Sequence, residues 1–206
     1  RPIIELPDTP LVVGCDLAWG GADDNVIRFR RGMDGRSIPP IRIKGEFTRD
    51  PSVLTTRLAD VLRGTYHGHM VSMAFLDSAG IAGPIASRLR EMGHRNVQEV
   101  NFGAESPDDK HRYMRDYMWA QMKAWLLTGA IDRDPQLETD LLGPGVRPDT
   151  RQRVWLESKE SMQKRGLDSP DDGDALALTF AAQVAAPVPA PQSYRPIMRG
   201  EMSWAG

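Results

Sequence analysis

Two apolar runs in this chain end in an aspartate. Leu11 to Leu17 reads LVVGCDL, which sets Asp16 beside Val12, Val13, Cys15 and Leu17, and the run VSMAFL from Val71 leads into Asp77. A carboxylate closing a buried strand is costly unless a cation, a set of hydrogen-bond donors or a metal compensates it. A third acidic group opens an apolar segment as Ser169-Pro170-Asp171-Asp172-Gly173-Asp174-Ala175-Leu176. Asp171 and Asp174, three apart, share one helical face. That face continues through Ala175, Leu178 and Ala182, so both acids are expected to point inward. Asp172 falls about 100 degrees away and has its own reading, as the third residue of a capping box begun by Ser169. Singly, each acid has a structural explanation: a turn or cap role for Asp16 and Asp77, and the helix N-terminus for Asp171. Jointly, three inward carboxylates with no matching cysteine or histidine set favour a site for hard, oxygen-liganded cations such as Mg²⁺ or Mn²⁺.

The elements that must position these acids alternate between strand and helix. Residues 11–17 form a central strand, apolar on both faces. Residues 25–33 and 38–48 are β-rich and flank Asp34-Gly35, a hairpin turn signal. This hairpin carries Arg28, Arg30, Arg31, Arg36, Arg42 and Lys44. Helical spacing covers 51–62, a buried-type strand covers 70–76, and a helix over 81–92 stops at Gly93. A strand over 97–102 precedes a long helix over 110–128. Residues 132–150 are rich in Pro, Gly and Asp and are expected to form loops around a short helix at 137–142, followed by a last short strand at 154–156. Residues 169–184 are the final helix, with Ser169 as N-cap and Pro170 at its first position. The expected fold is α/β. Residues 1–185 make one domain and the Pro-rich 186–206 a tail or linker.

The bulk properties narrow the function. A length of 206 residues suits one globular domain. The chain opens on Arg1 and has no long apolar run, which predicts a piece of a longer protein with no membrane segment. A single cysteine, Cys15, excludes an internal disulfide and a cysteine-based zinc site, and fits a reducing cytoplasm. The formal net charge is −2, whereas DNA binders usually carry a basic excess. A DNA partner therefore requires the cations to be grouped.

The order strand-Asp, hairpin, strand-Asp, helix-borne Asp resembles the ribonuclease H-like nucleases, and within them the nuclease domain of bacteriophage terminase large subunits. The resemblance rests on Gly14-Cys15-Asp16-Leu17-Ala18-Trp19-Gly20-Gly21-Ala22-Asp23-Asp24 and on Phe75-Leu76-Asp77-Ser78-Ala79-Gly80. Most specific is the block running from Leu156-Glu157-Ser158-Lys159-Glu160 to Gly166, followed by Ser169-Pro170-Asp171 and Asp174-Ala175-Leu176-Ala177. It implies a mixed central sheet with a β-hairpin extension and helices on both faces. It also implies two Mg²⁺ or Mn²⁺ ions held by Asp16, Asp77 and Asp171, with Asp174 as a fourth acid. Some relatives place histidine or aspartate where this chain has Pro170, which cannot bind metal. Lys159 in the Ser-Lys-Glu block either approaches the scissile phosphate or an acidic ligand, or is a solvated surface lysine.

The implied activity is endonucleolytic cutting of concatemeric viral double-stranded DNA during genome packaging, by two-metal-ion hydrolysis in the bacterial host cytoplasm. DNA would be held through phosphate by Arg28, Arg30, Arg31 and Arg36. The chain has no G-x-x-x-x-G-K-[ST] loop, so the ATPase motor of such a protein would lie upstream, with small terminase subunit and portal as further partners. Two other readings are a Holliday-junction resolvase of the same fold and a non-catalytic DNA- or portal-docking module.

Overall fold

The computed structural model describes residues 8–18, 20, 23–78 and 80–185. The tail at 186–206 lies outside the described residues, as do Trp19, Gly21, Ala22 and Ala79 of the matched motifs. Its strands are β1 (Leu11–Asp16), β2 (Asn25–Arg31), β3 (Asp34–Gly35), β4 (Ile41–Ile43), β5 (Thr65–Tyr66), β6 (His69–Asp77), β7 (Val97–Val100), β8 (Ala130–Ile131), β9 (Val146–Pro148) and β10 (Val154–Leu156). Its α-helices are α1 (Pro51–Arg63), α2 (Ala82–Glu91), α3 (Met114–Trp125), α4 (Pro135–Leu142), α5 (Lys159–Lys164) and α6 (Asp171–Leu178).

The main sheet is built on β1. It pairs in parallel with β6, which pairs in parallel with β7, and antiparallel with β2, which carries β3 and β4. This is the ribonuclease H-like fold: a mixed sheet, an antiparallel extension, and a helical layer on each face. Because strand side chains alternate, β1 feeds both layers. Leu11, Val13 and Cys15 join a core with Leu54 and Leu58 of α1 and Ile85 and Leu89 of α2. Val12 joins a second core with Phe75, Met118 and Trp119 of α3, and Leu176 and Leu178 of α6. By the same parity Gly14 and Asp16 face the α3–α6 layer, and Asp77, two residues after Phe75, does so too.

Gly14 lets that layer come close. A Cβ there would sit 1.9 Å from the Ala175 carbonyl oxygen and 2.9 Å from Leu178 Cβ. Helix α6 therefore rests directly on the backbone of β1, and it is buried nearly all round, from Asp172 to Leu178.

Several boundaries differ from the sequence reading. Asp34-Gly35 is not the hairpin turn: it forms β3, paired with Arg31 of β2 and with β8. The chain reverses instead at Gly32 and Met33, with Gly32 at φ +56, a conformation open to glycine at little cost. Helix α3 begins at Met114 rather than residue 110, because His111 bridges to Val154 and Tyr113 caps the helix with its backbone N–H donated to Asp116 (2.9 Å). The expected short strand at 154–156 forms as β10 and pairs with β9 in a separate two-stranded ribbon.

The last helix is the largest revision. Its N-cap is Pro170, and the Ser169 capping box does not form. A different residue takes over: Asp140 of α4 accepts from the backbone N–H groups of Asp172 (2.8 Å) and Gly173 (3.3 Å). The helix also stops at Leu178, not 184. The Thr179 hydroxyl donates back to the Leu176 carbonyl, while the Thr179 carbonyl accepts from Arg30 (2.6 Å).

Candidate metal centre

Asp16, Asp77 and Asp171 line one cleft of about 630 Å³, together with Lys159. Two strand ends and one helix start deliver the acids, and the short helix α5 delivers the lysine. Ser158 caps α5 by accepting from the Ser161 N–H (3.2 Å), which fixes Lys159 as the first helical residue. Its ammonium donates to Asp16 Oδ2 (3.0 Å) and Asp171 Oδ1 (3.3 Å), and stands 3.3 Å from Asp174 Oδ2. Lys159 is therefore the cation among the acids rather than a solvated surface lysine.

Asp174 occupies a different place from its neighbours. It has no exposure and is absent from the cleft wall. Its oxygens accept from Arg115 Nε (2.8 Å), a second Arg115 nitrogen (3.2 Å) and Trp119 Nε1 (2.7 Å). The sequence reading of Asp174 as a fourth metal ligand meets a carboxylate already saturated by protein donors, which corrects its position from the cleft to the layer behind it. Arg115 also donates to the Glu157 carbonyl (3.0 Å), tying this layer to the Ser-Lys-Glu block.

The electrostatics separate these groups. Burial pushes the Asp16 carboxyl above the usual carboxylate range, and the Lys159 charge only partly offsets it. Asp171 is pushed up to about 7, first by burial and then by the negative charge of Asp16. Burial acts on Asp174 too, but Arg115 and then Lys159 outweigh it and hold that group low. The neighbouring carboxylates raise the Lys159 ammonium despite its burial. The open wall thus carries carboxylates whose charge is poorly compensated, which is the donor chemistry a hard divalent cation relieves. Among the described residues no three acids stand as a closed ligand set; the ammonium lies between them.

The hairpin cations are placed differently from the sequence expectation. Arg28 is 2% exposed and donates to Asp172 (2.6 Å), Asp134 (2.6 Å) and Asp132 (3.3 Å). Arg42 joins it on Asp172 and Asp134. Arg30 donates to Thr179 and stacks 4.1 Å over the Phe180 ring. The reading of Arg28 as a phosphate contact is corrected: it is spent inside the fold, because the Asp172 face of α6 packs on β2. Arg30 is half-buried, engaged by Thr179 and Phe180. Arg31 is half-buried and Arg36 exposed.

Arg115, Trp119 and Asp140 were not singled out from the sequence. A signal existed: Arg115, Trp119 and Met122 fall on one stripe of α3, and Asp140 falls three after Leu137 on α4. A charge on an apolar stripe marks a buried polar partner elsewhere.

No protein-family model matches the chain, and no curated protein does. Solved structures do. The chain is similar to the nuclease domain of the large terminase subunit of bacterial virus Sf6, with 17% identity, a TM-score of 0.65, and coverage of 85% of this chain and 89% of that one. It is similar to a mutant of that Sf6 domain with manganese, at 15% identity, TM-score 0.63, and 84% and 89% coverage. It is also similar to the large terminase nuclease of thermophilic phage G20c with bound magnesium, at 17% identity, TM-score 0.60, and 85% and 82% coverage. At these identities the likeness establishes the fold.

Proposed function

We propose that this chain is a divalent-metal-dependent DNA endonuclease of the terminase large-subunit type, cutting concatemeric viral duplex DNA during packaging in the bacterial cytoplasm. The observation that carries the reading is the convergence of Asp16, Asp77 and Asp171 on one cleft, with Lys159 bonded to Asp16 and Asp171. The similar Sf6 nuclease domain with manganese and the G20c nuclease with bound magnesium support it. On this reading residues 1–185 are the nuclease domain, 186–206 a linking tail, and the ATPase motor, small subunit and portal are partners outside this chain.

Asp16, Asp77 and Asp171 would hold two Mg²⁺ or Mn²⁺ ions. The ions would supply Lewis-acid activation of water and neutralise charge at the reacting phosphate. Asp16 and Asp171, both raised by burial, present oxygens whose charge the protein leaves undercompensated. Lys159, on the same wall, is placed to neutralise a phosphate oxygen or to hold the acids together before ions arrive. Asp174 is a positioning residue, fixing Arg115 and Lys159 from behind.

The test is nicking of supercoiled plasmid. Mg²⁺ or Mn²⁺ should support it and chelation should stop it; a protein that leaves plasmid intact with either ion would remove the reading. Preference for four-way junctions over linear duplex would assign the resolvase alternative instead.

A further inference from the structure

Arg28 is buried in an ion-pair group and Arg30 is half-buried against Thr179 and Phe180, so the hairpin offers DNA fewer grouped cations than a chain of net charge −2 needs. A second groove, of about 790 Å³, adjoins the carboxylate cleft and shares Gly103, Tyr113 and Trp155 with it. Its wall carries Arg112, Arg147, Arg151 and Arg153 against only Glu105 and Asp149. Asp149 is taken by Arg153 (2.8 Å). Among the described residues Arg112, Arg147 and Arg151 have no carboxylate within ion-pair reach. Two of these guanidiniums lie on one indole: Arg147 is 4.1 Å and Arg112 4.4 Å from the Trp155 ring centre. Stacking holds the plane of a guanidinium while leaving its N–H edge free, a preorganised donor for phosphate oxygens.

The platform is also fixed. The ribbon of β9 and β10 is tied to the core by Val154 N–H to the Lys110 carbonyl (2.7 Å), Arg112 N–H to the Val154 carbonyl (3.0 Å) and Leu156 N–H to Asp116 (2.9 Å). Glu157, held well below the usual carboxylate range at about 2 by Arg165 and Ser161, accepts from Gly145 N–H (3.0 Å) at the other end of the ribbon.

We propose that the groove of Arg112, Arg147 and Arg151 around Trp155 is a phosphodiester-backbone subsite that carries the DNA strand flanking the cut into the carboxylate cleft. The inference rests on the nuclease reading above and locates its DNA path. Contacts of this kind hold DNA without reading bases.

The experiment measures anisotropy of a short fluorescein-labelled duplex across a salt series in chelator, so that nothing is cut, with plasmid nicking at low salt run in parallel. Arg112→Ala with Arg147→Ala should flatten the slope of log affinity against log salt by roughly 1.8, at about 0.9 per phosphate contact. Arg147→Glu, on the exposed ribbon, should weaken binding further and provides a variant whose folding is not in question. Arg88→Ala on α2, on the far face of the sheet, should leave the slope unchanged. An unchanged slope in the double variant and in Arg147→Glu, with wild-type nicking intact, overturns the groove and leaves the nuclease reading standing. A flattened slope with a wild type that does not nick upholds the groove and overturns the nuclease reading.

Discussion

The first turn of α6 presents consecutive aspartates to two surroundings of opposite character. On one side Asp172 meets Arg28 and Arg42, with Asp134 and Asp132 closing the group, so that guanidinium and carboxylate largely balance inside the fold. On the other side Asp171 faces the cleft with Asp16 and Asp77, and one lysine serves two of them together with Asp174. The clamp side satisfies its charges and holds structure. On the cleft side burial and the charge of Asp16 act against the Asp171 carboxylate, and Lys159 offsets them only in part. Adjacent residues of one type thus meet different surroundings according to what the opposite element supplies.

The sharpest break of this contrast is at Asp171. Asp171→Asn and Asp16→Asn should each reduce plasmid nicking by at least ~100-fold while leaving thermal stability unchanged or raised, since burial first, and then a neighbouring carboxylate, disfavour each charge despite Lys159. Near-wild-type nicking by either protein would return these acids to a structural role.

On the clamp side the effect should fall on folding. Arg28→Ala leaves Asp172 and Asp134 buried with less compensation and should cost about 3–5 kcal/mol in denaturant unfolding. A loss under ~1 kcal/mol would mean that the clamp does not anchor α6.

Asp140 sharpens the contrast through pH. Burial first, then the charge of Asp172, push it up to about 6 against the donors it accepts from. Its unfolded value is about 3.9. Between those values the native state keeps a proton that the unfolded chain has released, so this group's contribution falls as pH rises across that window. Asp140→Asn should flatten the corresponding part of the profile of unfolding free energy against pH, by on the order of 1–2 kcal/mol. An unaltered profile would place the titration elsewhere.

The smallest effect is expected at Arg42, whose side chain is 33% exposed. Arg42→Ala should cost about 1 kcal/mol or less, because water reaches it and Arg28 remains. A loss matching that of Arg28→Ala would make the two arginines equal members of the clamp.

The sequence carried the sheet well, because β1 and β6 are runs with few ways to be satisfied other than as buried strands, and their terminal acids stand out against apolar neighbours. It carried the inward face of Asp171 and Asp174 too, since helical spacing alone fixes which residues share a side. What it could not carry was partnership. Arg28 and Arg147 are indistinguishable as letters; one is buried because α6 brings Asp172 onto β2, and the other is exposed because its ribbon leaves the sheet. Ser169-Pro170 reads as a complete helix start, yet Asp140, 32 residues earlier than Asp172, performs the capping. These are long-range pairings, set by packing rather than by any local signal.

Gly14 shows how such a pairing can rest on a residue with no side chain at all. The thickness of the contact between β1 and α6 is one backbone on another, and it determines how far the aspartate two residues along the strand stands from the aspartates opening the helix. Any side chain at this position would act as a shim, wedging helix from strand and opening the cleft beyond the span of one lysine. The separation on which metal chemistry would depend is therefore gauged at a position that touches no metal, substrate or charge.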